Sequence, residues 1–159
     1  HFGWEKFRTC TTRPPRFAWE DDYQFISEEE FLGRIKDNQI LEMYFRKSNQ
    51  SFYGTPAPTD NCIVQAEIMA QTALRKWCFQ NDANFLSIFI RVDESTLLQR
   101  LKERNDPNEK PEVRLLEDRY YDEMSDWADV LYEYEGKTIE QGVADIIGII
   151  EEKFPHLRK

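Results

Sequence analysis

Glycine is scarce. It occurs six times in 159 residues, at positions 3, 33, 54, 136, 142 and 148, so no stretch reads as the G-x-x-x-x-G-K-[ST] loop that cradles nucleotide phosphates. The three cysteines, Cys10, Cys62 and Cys78, are odd in number and form no C-x-x-C pair. They suggest neither a zinc site nor a disulfide framework, and a reducing cytoplasm fits best. Long apolar runs are missing, the mean hydropathy is -0.72, and neither a membrane span nor a signal-peptide pattern is present. Positive charge is in deficit, with 21 Lys and Arg against 30 Asp and Glu and a formal net charge of -9. That argues against a duplex nucleic-acid binder, whose phosphate contacts need a basic face. An anionic ligand must therefore meet a local cluster of arginines.

What is present describes one globular domain: 40% hydrophobic and 14% aromatic residues suffice for a core at this length. Ser27, followed by three glutamates up to Glu30, reads as an N-cap with a capping-box carboxylate. It opens a helix that carries Phe31, Leu32 and Ile35 inward and ends near Asn38. Ile40 to Phe45 reads as a strand, Ser48 to Gln50 as a turn and Ser51 to Tyr53 as a second strand, together a small antiparallel subdomain. Strands are expected at 62–66, 86–92 and 129–132. Helices are expected through Trp77, over 95–104 and about 112–126, with a last one opened by Thr138 and Gln141. Such alternation predicts an α/β fold with a mostly parallel sheet, and Ile88, Ile90, Leu97, Leu101, Ile146 and Ile150 are its core candidates. Residues 13–22, 55–61 and 105–111 are the candidate functional loops.

The octapeptide Thr9-Cys10-Thr11-Thr12-Arg13-Pro14-Pro15-Arg16 places hydroxyls and two guanidiniums on a proline-stiffened connection. The planar donor fork of arginine matches an oxyanion, and holding two forks on a restricted loop reduces the entropy lost on binding. A solvated basic turn is the alternative. The motif is followed by Asp22-Tyr23-Gln24-Phe25-Ile26-Ser27, then Leu41-Glu42, then Phe52-Tyr53-Gly54-Thr55. In order, spacing and residue type, this series resembles the nucleotide-monophosphate subdomain of the guanylate kinase family, and the correspondence runs from about Phe7 to Glu151.

The resemblance implies a nucleoside-monophosphate-kinase α/β fold: a parallel sheet with helices, a GMP-binding subdomain over 9–56, and a helical lid with its returning helix over 100–126. It implies that Arg13, Arg16, Tyr23 and Tyr53 hold the phosphate of GMP or dGMP, and that Glu42 reads the base, with Thr9 and Thr55 beside it. Glu42 suits that role chemically, because a carboxylate accepts from guanine N1-H and N2-H2, whereas the N1 of adenine carries no proton. Arg100, Arg104 and Arg114 correspond to lid arginines that would stabilise charge during transfer from ATP. Helix-surface pairs with Glu103, Glu117 or Asp118 are the alternative for these three. Magnesium accompanying ATP is implied as the cofactor.

The sequence also departs from the family. The strand, glycine-rich loop and helix with which the family begins do not occur, and they are expected upstream of His1. Around Pro56-Ala57-Pro58 the sequence reads as a deletion of the family's helix that follows the Thr55 position. Gln65 and Glu67 stand where the family carries two aspartates, and Glu67 is long enough to accept from the guanine amino group. Extra residues lie around Lys47 to Ser51, and Glu133-Tyr134-Glu135 replaces an asparagine-containing segment. Two other functions are compatible with these departures: an inactive guanylate-kinase-like module that binds a phosphorylated peptide, and a related kinase with another phosphorylated acceptor.

Overall fold

The structure, a computed structural model, describes residues 2–59, 61–104, 106 and 109–157. Its centre is a four-stranded sheet of β2 (Thr9–Thr11), β3 (Tyr23–Phe25), β4 (Ile40–Arg46) and β5 (Ser51–Pro56), which follow β1 (Glu5–Phe7). The strand order is β3-β2-β5-β4. The long β4–β5 hairpin is antiparallel, as is β2 with β5, while β2 and β3 run parallel. The expected antiparallel subdomain is thus a mixed sheet.

Strand alternation divides this sheet into two chemically distinct faces. Cys10, Phe52, Gly54, Met43 and Phe45 share one face by register. Helix α1 (Glu28–Lys36) covers it, with Phe31 fully buried and stacked on Phe52 at 5.6 Å. Gly54 is needed here, since a Cβ would stand 3.1 Å from both the Cys10 sulfur and the Ile40 side chain. The opposite face carries Thr11, Tyr23, Glu42, Tyr44, Arg46, Tyr53 and Thr55.

Ser27 caps α1 as expected, accepting from the Glu30 backbone at 3.1 Å. The Glu30 carboxylate, however, turns to Arg34 at 2.7 Å rather than closing a capping box. A charged donor one turn away outcompetes a neutral amide. Past the end of the helix Asn38 adopts φ 56, the left-handed conformation that asparagine tolerates.

The parallel pairing forms two separate ladders, β1 with β6 (Cys62–Val64) and β7 (Ile88–Arg91) with β8 (Val130–Glu133). In sequence α2 (Ala70–Gln80) lies between β6 and β7, α3 (Glu94–Arg104) and α4 (Pro111–Glu123) lie between β7 and β8, and α5 (Ile139–Lys153) follows β8. Its capping box is complete, with Thr138 and Gln141 bonded reciprocally. No helix interrupts the described residues between Pro56 and Cys62, as the shortened sequence implied. Leu101 and Ile150 are buried, but Ile90, expected in the core, is 53% exposed. A two-stranded ladder leaves more of each strand's surface open than a wide sheet does. No helix among the described residues is long and apolar enough to cross a membrane.

Candidate functional site

The polar face of the four-stranded sheet gathers most of the residues singled out from sequence. Arg13 leaves β2 and folds back to 2% exposure, its guanidinium 5.5 Å from the Tyr23 ring and 5.2 Å from the Phe25 ring. It donates two hydrogen bonds to Glu20, at 2.7 and 3.1 Å, and a third to the Pro14 carbonyl at 2.8 Å. Arg16 donates to the same carboxylate through its backbone N-H at 2.6 Å and its side chain at 3.2 Å. Burial alone would lower the Arg13 pKa, but the bond to Glu20 and the nearby Tyr53 outweigh it and raise it. Glu20 is the mirror image: burial would raise its pKa, and the two arginines together hold it down. The sequence reading missed Glu20. The available signal was a carboxylate seven and four residues after two arginines in a short loop that must neutralise them.

The second side of Arg16 meets the loop between α3 and α4. Its Nε donates to Asp106 at 2.6 Å, and Glu109 lies 4.0 Å away while also pairing with Arg104. Burial and the neighbouring Arg16 charge lower the pKa of Arg104. Two carboxylates of the loop between α3 and α4 thus rest against arginines expected to act on a phosphate.

Glu42 stands on β4 opposite Thr55 of β5, and Thr55 and Thr9 are both buried. One carboxylate oxygen of Glu42 is buried with no hydrogen-bond partner, and burial raises its pKa. Two residues further along β4, the Tyr44 ring stacks on Tyr53 at 5.2 Å, while Tyr23 meets Tyr53 edge-on at 5.6 Å.

Glu67 has a different environment from the one expected of it. Its Oε1 accepts from the Tyr44 hydroxyl at 2.9 Å, pairs with Arg46 and lies 3.9 Å from Arg114. Arg114 also pairs with Asp118 at 2.9 Å and lies 3.9 Å from Glu117, so of the helix-surface pairs considered from sequence those of Arg114 form. Gln65 is exposed. Arg100 stands apart, its guanidinium 5.3 Å from the Tyr134 ring. Among the described residues no group of three or more His, Cys, Asp or Glu side chains is arranged to hold a metal ion.

Buried polar atoms without a hydrogen-bond partner show where the face is incomplete. Among the described residues they belong to Arg13, Glu42, Arg46, Asn49, Glu109, Arg114 and Asp118. All lie on this face or on the 109–118 segment set against it. Such atoms are expensive to bury and rare in a finished core. Their convergence describes a surface shaped for a polar, charged molecule.

Guanylate kinases are among the known proteins with similar sequences. A guanylate kinase of Lawsonia intracellularis is 48% identical over 50 residues, 30% of this chain and 23% of that protein. A guanylate kinase of Nitrobacter hamburgensis is 26% identical over 153 residues, 90% of this chain and 68% of that protein. The guanylate kinase of onion yellows phytoplasma is 31% identical over 112 residues, covering 64% and 50% respectively. The chain is thus similar to guanylate kinases along most of its length. The crystal structure of guanylate kinase from Anaplasma phagocytophilum shares its fold, with a TM-score of 0.63 at 22% identity over 93% of this chain and 74% of that one. No protein-family model matches the chain. The matched stretch spans just under a quarter, 23%, of the Lawsonia guanylate kinase.

Proposed function

We propose that this chain forms the GMP-binding and lid portion of a guanylate kinase, a phosphotransferase that uses ATP to phosphorylate GMP or dGMP in the cytoplasm. The observation carrying the reading is the buried, unpartnered carboxylate oxygen of Glu42 on the same sheet face as Tyr23 and Tyr53, beside Arg13 and Arg16. Glu42 and Tyr53 are offset by two residues along the β4–β5 ladder, about 7 Å at strand rise, so one nucleotide can touch both. Guanine N1-H and N2-H2 then supply the donors that Glu42 lacks, with Thr9 and Thr55 beside the base. Adenine would place a lone pair against the carboxylate.

The phosphate takes the arginine positions that Asp106 and Glu109 now occupy, while Glu20 continues to orient Arg13 and Arg16. Arg104 and Arg114 approach from the lid side, where fixed positive charge favours a transferring phosphoryl group. Glu67 is engaged by Tyr44 and Arg46, so base recognition falls chiefly to Glu42. Magnesium belongs to this reading only as the ion that accompanies ATP. The described residues do not fit a protein-held ion, because Glu67 is neutralised by arginine and Gln65 carries no charge.

Calorimetry with GMP and AMP tests the acceptor site: GMP is expected to bind at least tenfold more tightly, and equal affinities would reject the reading. Transfer is tested by coupled assay of GMP-dependent ADP release. Turnover is expected only in protein that carries a glycine-rich phosphate loop in addition to residues 1–159.

A further inference from the structure

We propose that Asn49 is a positioning residue that directs the Tyr53 hydroxyl hydrogen into the phosphate site, and that Glu117 of α4 holds Asn49 in place to do so. The proposal rests on the reading of Tyr53 as a phosphate ligand. Packing already fixes the ring: Tyr53 is 3% exposed, stacked on Tyr44 and lying beneath the Arg46 guanidinium at 4.9 Å. Ring packing places the oxygen, but the hydroxyl hydrogen still rotates to suit its surroundings. The Asn49 amide N-H donates to that oxygen at 2.6 Å. A donor on one side leaves the hydroxyl hydrogen to point away from it, toward an acceptor elsewhere in the site.

Asn49 is itself 8% exposed, and its amide oxygen is buried without a hydrogen-bond partner. An apolar residue of similar size would avoid that cost, so the amide has a use beyond filling space. The segment bearing it is anchored to the lid side of the molecule. Glu117 accepts from the backbone of Lys47 at 3.0 Å and of Ser48 at 3.3 Å, and from the Ser48 hydroxyl at 2.8 Å. The Lys110 backbone N-H donates to the Ser48 carbonyl at 3.1 Å. The extra residues between β4 and β5 therefore connect α4 to the phosphate tyrosine.

The test is a double-mutant cycle of Asn49→Ala and Tyr53→Phe, read as calorimetric affinities for GMP, guanosine and inorganic phosphate. Asn49→Ala should weaken GMP about tenfold, the usual cost of one hydrogen bond, and leave guanosine unchanged. In the Tyr53→Phe background the same substitution should change GMP affinity by less than about twofold. Additive losses, or equal losses for guanosine and GMP, would overturn the proposal and assign Asn49 to packing. Should Asn49→Ala fail to fold, Glu117→Ala, which frees the segment without touching Tyr53, takes its place with the same expectation. If the unmutated protein binds inorganic phosphate but not GMP, the base reading fails alone and the cycle is run with phosphate. If it binds neither, the site reading and this proposal fall together.

Discussion

Glu20 and Arg13 form a forked, doubly hydrogen-bonded ion pair at 2.7 and 3.1 Å, with side-chain exposures of 1% and 2%. Removing one member of such a pair strands the other charge in a dry environment. Glu20→Gln should therefore destabilise the fold by about 3 to 5 kcal/mol, measured by urea denaturation at neutral pH. The pKa of Glu20 is lowered in the folded state, so its contribution is present above the ordinary glutamate range. It is lost as pH falls through that lowered value, and Glu20→Gln should remove this part of the acid sensitivity.

Glu42→Gln replaces an acceptor-only group by one that presents a donor to guanine. GMP affinity should fall by about 1 to 3 kcal/mol, roughly ten- to hundredfold, while AMP changes little. Calorimetry with both nucleotides measures the change; an undiminished preference would remove Glu42 from base recognition.

Arg16→Ala should weaken GMP by about 1.5 to 3 kcal/mol, the worth of a charge-assisted contact, and leave guanosine untouched. Equal losses for the two ligands would mean that Arg16 acts through its bonds to Glu20 and Asp106, holding the loop rather than the phosphate.

Guanosine, which lacks a titrating phosphate, isolates the pH response of Glu42. Burial raises the Glu42 pKa, and only the ionised carboxylate accepts both guanine donors. Affinity should be full above that raised pKa and decline as pH falls through it, with a proton released on binding near the midpoint. Without ligand the sign is reversed: the fold gains stability as pH drops from the raised value toward the ordinary one. Calorimetry in buffers of different ionisation enthalpy detects the proton, and Glu42→Gln should abolish its release.

Local chemistry was legible in the order of residues. Ser27 and Thr138 announce their helices because a side-chain oxygen one step before an amphipathic run satisfies backbone donors within three residues. Alternation along β4 and β5 puts Glu42, Tyr53 and Thr55 on one face whatever packs against them. Arginines at 13 and 16 flanking two prolines suggest an oxyanion loop, and the order of these pieces carries the resemblance to guanylate kinases. Tertiary structure decided what depends on distant partners. Arg16 meets Asp106 across 90 positions and Glu117 meets Ser48 across 69, and no periodicity encodes such meetings. Glu67 looked available for guanine until Tyr44 and Arg46 came to it from another strand, and Ile90 looked like core until its ladder proved to have only two strands. Spacing determines which groups can share a face. Only the folded chain decides which opposite charges find each other and which buried atoms are left for a ligand.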